Sequence, residues 1–178
     1  ACLNSTVEEA RQARAYWRRR GLDDKTIVRF GLGYAPNDGQ ALYQFLREKG
    51  YNQQELDASG LFKRSQSGRI YCLFWKRVMT PIFDLRGNII AFGGRAMSPD
   101  APAKYLNSNE TELFHKGSVL YNHARARKGA QGAGRAGNAA QDEKAAGTII
   151  AVEGYMDVIA LHQAGIENAV APLGTALT

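Results

Sequence analysis

Thr148-Ile149-Ile150-Ala151-Val152-Glu153-Gly154 is the stretch from which the rest of the chain is best read. An apolar, β-branched run ends on a glutamate and a glycine, the pattern of a buried strand followed by a sharp turn. Asp157–Ala164 then reads as a helix, and Gly165 stops it. Asn168–Ala171 begins a second apolar strand. Strand, turn, helix, strand is an α/β unit, and such units build parallel sheets.

Chemistry has a natural place in this unit. In open α/β sheets, ligands and metals gather outside the C-terminal ends of the strands. Glu153 stands at such an end, and Asp157 follows four residues later near the start of the helix. Two carboxylates facing one pocket suit Mg²⁺, and Mg²⁺ suits phosphoryl transfer. The same spacing also describes a strand-end surface residue and an ordinary helix cap.

Upstream, residues 129–147 are rich in Gly, Ala and Gln and have no periodicity, which reads as a flexible linker or surface loop. Before it lie strand-like runs: Arg69–Phe74, then Val78–Phe83 with Pro81 marking an edge or a bulge. Asp84-Leu85-Arg86-Gly87-Asn88 is a turn and Ile89–Phe92 the return strand of a hairpin. Gly93-Gly94-Arg95 follows at once, Ser98–Ala103 is a loop with two prolines, and Val119–Tyr121 is a short strand. The first 60 residues are helical. Thr6 with Glu9 opens a helix running to Arg20, with Ala10, Ala13, Tyr16 and Trp17 as its apolar stripe. Asp23 or Asp24 opens a second, carrying Ile27, Val28 and Phe30; a third covers Gln40–Lys49; a fourth starts at Asn52, with Glu55 completing a capping box.

The chain has 178 residues, 44% hydrophobic and 22% charged, enough for a real core. Its net charge of +6 is unevenly spread. Residues 61–135 carry 13 basic and 4 acidic side chains, whereas residues 136–178 carry 1 and 5. The middle is a candidate polyanion surface and the end a candidate acidic site. Two cysteines seventy positions apart, Cys2 and Cys72, exclude a disulfide framework and a Cys-rich zinc site. No apolar run is long enough to span a membrane. Ala1–Thr6 does not have the form of a signal peptide, and the sequence reads as a piece of a longer intracellular protein.

Within the basic segment, Arg77, Arg95, Lys104 and Lys116 sit in or beside strands and tight turns. Gly93-Gly94 would let backbone approach a phosphate, and Arg and Lys would hold it by paired bonds or point charge. A solvated strand-edge charge is the plainer account of each residue. His115, His123 and His162 lack metal-ligand spacing. Trp17 and Trp75 read as packing residues, Trp75 less securely because its segment is basic.

Taken in order, Lys104-Tyr105-Leu106-Asn107-Ser108, Phe114-His115-Lys116-Gly117 and Val152-Glu153-Gly154-Tyr155-Met156-Asp157-Val158 resemble a DnaG-type bacterial DNA primase. Arg77-Val78-Met79 with Pro81-Ile82, Phe92-Gly93-Gly94-Arg95, and Leu173-Gly174-Thr175-Ala176 resemble the same family, so the likeness runs from about Ala10 to Thr178. It implies an α+β N-terminal subdomain over 1–128, the linker 129–147, and over 148–178 the start of a TOPRIM subdomain, an incomplete α/β Rossmann-like fold with a parallel sheet. Such primases carry a zinc ribbon, an RNA polymerase core and a helicase-binding domain. The resemblance places this chain in the core, where basic and acidic parts face each other across a cleft.

What it implies for function is template-directed synthesis of short RNA primers on single-stranded DNA, in the cytoplasm of a bacterium or from a plasmid or phage. By position, Arg77, Arg95, Lys104 and Lys116 would contact template or nucleotide phosphates, and Tyr105 and Asn107 would line the same groove. Glu153 would be the TOPRIM glutamate, acting as acid/base or as a ligand of Mg²⁺ or Mn²⁺, with Asp157 beside it. The implied partners are template, NTPs, RNA primer and, through other regions, a replicative helicase; zinc is not implied.

Two departures stand out. The family's Tyr-Asp-x-Phe-Arg is here Tyr71-Cys72-Leu73-Phe74-Trp75, and the Asp-x-Asp motif that binds most of the Mg²⁺ does not occur in the chain. The chain alone is therefore expected to bind single-stranded DNA weakly and not to polymerise. A TOPRIM nuclease or topoisomerase piece, and a non-catalytic nucleic-acid-binding module, are the competing readings.

Overall fold

Helix α1, Glu8–Arg19, forms because its apolar side chains recur at helical spacing: Ala10, Ala13, Tyr16 and Trp17 are all buried. The computed structural model describes residues 8–132 and 147–174, so the proposed cap at Thr6 lies outside the described residues. Asp23 caps α2, Asp24–Arg29, by accepting the Thr26 amide at 2.7 Å. Ile27 and Phe30 turn into the core, but Val28 is left exposed. Helix α3 spans Ala41–Glu48. Helix α4, Gln53–Ala58, opens with the expected capping box: Asn52 accepts the Glu55 amide and Glu55 accepts the Asn52 amide.

The chain divides into two compact units, the first made of residues up to Pro81 with Ala91–Phe114, the second of Ile82–Ile90 with residues from His115 on. A sheet in the order β1-β4-β5-β6 organises the first. Its strands are β1 (Gly33–Ala35), β4 (Arg77–Phe83), β5 (Ile89–Ala96) and β6 (Tyr105–Asn107). A separate antiparallel pair joins β2 (Phe62–Arg64) to β3 (Ile70–Cys72). Leu56, Phe62, Cys72, Leu73 and Phe74 form a core under this pair, with Tyr43, Met79, Phe92 and Leu106 packed against them. Burial raises the Cys72 thiol above its ordinary pKa.

Two expectations need correction here. β4 is an interior strand, yet Pro81 is tolerated because the β1 ladder, Gly33↔Met79 to Ala35↔Arg77, ends before reaching it. β5 does not stop at Phe92 but runs through Gly93, Gly94 and Arg95 to Ala96. Neither β1 nor β2 is evident from the sequence pattern, since each is three residues long and offers one buried side chain.

In the second unit, β8 (Ile150–Ala151) and β9 (Ala169–Pro172) pair in parallel, joined by α6 (Tyr155–Gln163), as the α/β pattern requires. Gly165 ends the connection with φ +91°, a left-handed conformation that side chains resist. β7 (Leu120–Tyr121) adds to the other side of β9 antiparallel, which makes the sheet mixed, in the order β7-β9-β8. β8 is thus an edge strand among the described residues, and Ile149 and Ile150 are exposed rather than buried. Helix α5, His123–Gly132, continues across residues 129–132, and Ala130 is buried, so this part of the proposed linker is packed helix. Residues 133–146 of that linker lie outside the described residues. Among the described residues no helix is long and apolar enough to cross a membrane.

Candidate nucleic-acid interface and strand-end carboxylates

The pleat decides which basic side chains of the first unit can act together. In antiparallel register Arg95 lies opposite Tyr105 and Gly93 opposite Asn107, so Arg95, Tyr105 and Asn107 share one face of the sheet. Tyr105 is 55% exposed. The Lys104 ammonium sits 5.8 Å from the centre of the Tyr105 ring. The Arg95 guanidinium lies 4.7 Å over the Tyr16 ring of α1 and donates to the Ala96 carbonyl at 3.1 Å. A half-buried arginine, an exposed tyrosine and an exposed lysine therefore meet at one end of the sheet.

Arg77 is placed differently. It is 5% exposed, and its guanidinium donates to the carbonyls of Ala103 (2.8 Å), Gly94 (3.3 Å) and Lys104 (3.4 Å). Burial draws its pKa below the ordinary arginine value. These bonds tie the first residue of β4 to β5 and to the segment entering β6. Gly94 also has a packing role. A Cβ there would stand 2.8 Å from Phe74 Cδ1 and 3.1 Å from Arg77 Cδ. Both glycines of the Gly93-Gly94 pair are buried in the strand, so the expected phosphate approach there gives way to close packing over Arg77.

The remaining sequence-predicted residues belong to the second unit. Lys116 is half-buried at the start of a 3₁₀ turn, Lys116–Ser118. Glu153 is exposed just beyond β8, after the Val152 amide has bonded to the Val170 carbonyl. Asp157 is also exposed, and its carboxylate accepts the Gly154 amide at 3.1 Å, closing the first turn of α6. Tyr121 is buried, its ring centre lies 4.7 Å from that of Tyr155 with the planes tilted, and burial raises its phenol above the ordinary pKa. Asn122 adopts φ +66° and donates to the Ala169 carbonyl at 3.0 Å.

A magnesium ion asks for several oxygen donors in near-octahedral geometry. Among the described residues no group of three His, Cys, Asp or Glu side chains converges. Glu153 is a single carboxylate and Asp157 is engaged in capping, so these residues do not form an ion site by themselves.

Sequence reasoning missed the exposure of Trp75, which is 43% accessible while Trp17 is buried. The departure at Tyr71–Trp75 was the available signal.

Comparison with known proteins adds to the geometry. Residues 3–127 match the family model described as DNA primase catalytic core, N-terminal domain, and residues 147–178 match a Toprim domain. The DNA primase of Clostridium acetobutylicum is 45% identical over 167 residues, 94% of this chain and 25% of the relative. The chain thus spans about a quarter of the length of the curated relatives it matches. The RNA polymerase domain of Mycobacterium tuberculosis primase DnaG superposes with a TM-score of 0.84 at 34% identity, covering 99% of this chain and 53% of that one. A DnaG primase catalytic domain bound to single-stranded DNA gives a TM-score of 0.77 at 41% identity, covering 99% and 52%.

Proposed function

This chain belongs to the family of the DNA primase catalytic core, and from that premise we propose that it holds a single-stranded DNA template for RNA primer synthesis by a complete primase. The observation that carries this reading is the meeting of Arg95, Lys104 and Tyr105 at one end of the first sheet, in a segment with 13 basic and 4 acidic side chains. Arginine and lysine there attract phosphates, and the exposed tyrosine offers a face to a base. Asn107, on the same face, adds neutral hydrogen-bonding groups; Lys116, in the second unit, is by itself a further candidate for a phosphate contact. Arg77 serves this surface by holding β5 and the entry to β6 in place.

Glu153 is the carboxylate of this reading, exposed where α/β sheets gather their ligands. It would take a proton from an attacking hydroxyl, or would hold a divalent ion, Mg²⁺ or Mn²⁺, together with ligands from other residues; such an ion would supply charge neutralisation at the phosphates. NTPs and the growing RNA primer are the other partners.

The test is primer synthesis by the complete protein on a single-stranded template with labelled NTPs. Glu153→Gln should lower incorporation by about 100-fold or more, the scale of a lost acid/base group. No incorporation by the unaltered protein would overturn the reading. Strand cleavage without incorporation would favour a nuclease or topoisomerase, and template binding without any product a binding module.

A further inference from the structure

β4 begins, β5 ends and β6 begins at one end of the first unit's sheet. There Trp75, Lys76, Arg77, Ala96, Asp100 and Pro102 line a cavity of about 200 Å³. We propose that Trp75 is a stacking platform for one base of a single-stranded DNA that crosses this end of the sheet. The proposal deepens the template-holding reading above and rests on it.

Four observations carry it. Trp75 is left 43% exposed, although burying an indole is among the larger gains open to a side chain. The neighbouring walls at Ala96 and Pro102 are apolar, which suits a flat ring better than a phosphate. Lys76 and Arg77 are cationic and Asp100 is anionic, so the lining carries a small positive excess, which suits a base whose own strand bears phosphates. Arg77, 5% exposed, has an Nε that is buried with no hydrogen-bond partner among the described residues, and Lys76 is held at φ +47°, a conformation non-glycine residues avoid.

The surroundings select the occupant. The carbonyl of Lys104 accepts bonds from Arg77 and from the Ala96 amide, two residues of the cavity. Lys104 therefore links the cavity to the end of the sheet where Arg95 and Tyr105 lie opposite each other. Ala96 and Arg77 lie on the opposite face of the sheet from Arg95 and Tyr105, so a polyanion drawn to those charges would meet the indole by passing round the end of the sheet at Lys104, and a base is the part of it that stacks. The charge positions the strand and the ring takes the base.

The chain holds only two tryptophans, and Trp17 is buried, so Trp75 reports its own contacts. The 178-residue chain is titrated with (dT)12, following indole emission and, with a fluorescein-labelled strand, anisotropy. Emission should be quenched at the concentrations where anisotropy rises. Trp75→Ala should weaken binding about 5-fold or more, the lower end for one stacked base, and leave the salt dependence unchanged. Trp75→Phe should keep most of the affinity and lose most of the quench, which also guards against misfolding of the alanine variant.

Binding by anisotropy with no emission change, or with equal affinity in Trp75→Ala, overturns the stacking proposal and leaves the template reading intact. Quenching by UTP alone, without quenching by (dT)12, overturns it in favour of a free-nucleotide site. Absence of any (dT)12 binding overturns both.

Discussion

Arg77 and Gly94 are made for each other: the guanidinium donates to the Gly94 carbonyl at 3.3 Å, and its Cδ occupies space that a Cβ at residue 94 would claim. Gly94→Ala would place its methyl 2.8 Å from Phe74 Cδ1 and 3.1 Å from Arg77 Cδ, with β4 and β5 unable to separate. Overpacking of this kind costs about 1–3 kcal/mol. Urea denaturation should show a lowered midpoint at unchanged slope; an unchanged midpoint would mean that the two strands give way easily.

Arg77 should behave as a structural residue first. Arg77→Ala removes three hydrogen bonds to buried or half-buried carbonyls, of which that of Lys104 keeps the Ala96 amide, a loss of about 1–3 kcal/mol. Arg77→Lys should recover little, because an ammonium lacks the planar fork that reaches several acceptors. Thermal unfolding of both variants checks this. Full stability in Arg77→Ala would return Arg77 to the role of a phosphate ligand.

The two carboxylates of the second unit should separate by the same kind of measurement. Asp157→Ala removes the bond to the Gly154 amide and should cost about 0.5–2 kcal/mol, as for a lost helix cap. Glu153→Gln should leave the unfolding midpoint unchanged, since Glu153 is exposed beyond β8. Equal losses in the two variants would contradict this division of labour.

Asp84 makes the hairpin turn sensitive to acid. Its carboxylate accepts the Asn88 side chain at 3.0 Å and the Asn88 and Arg86 amides at 2.8 Å, which holds its pKa below the ordinary 3.8. A lowered folded-state pKa contributes stability above the unfolded value and loses it as pH falls through the folded one. The stability difference between the natural sequence and Asp84→Ala should therefore be full at pH 7 and shrink below pH 3.8. Urea midpoints across pH 2 to 7 measure it, and a difference independent of pH would show that the charge on Asp84 does not matter.

Local features are legible in the amino-acid sequence. The capping box of Asn52 and Glu55, the cap at Asp23, the stripe on α1 and the parallel β8–α6–β9 unit all follow from spacings within a few residues. What stays hidden depends on residues far apart in sequence. The exposure of Ile149 and Ile150 follows from β8 standing at an edge, which is settled by how β7 and β9 pair. Arg77 reads with the exposed cations because charge patterning does not reveal that carbonyls of residues 94, 103 and 104 surround it. Gly93-Gly94 looks like the end of a strand because glycine weakens strands, but here it clears room for a neighbouring strand's side chains. The site is accordingly legible as a set of residues and not as a division of roles among them.

The template-holding surface is tested most directly by its salt dependence. Binding of (dT)12 should weaken linearly on a log–log plot against salt, and Lys104→Ala should reduce the magnitude of the slope by about 1 for one lost phosphate contact, without lowering the unfolding midpoint. A slope near zero for the natural sequence, or an identical slope in Lys104→Ala, would contradict the claim that Lys104 and its neighbours hold the strand by its phosphates.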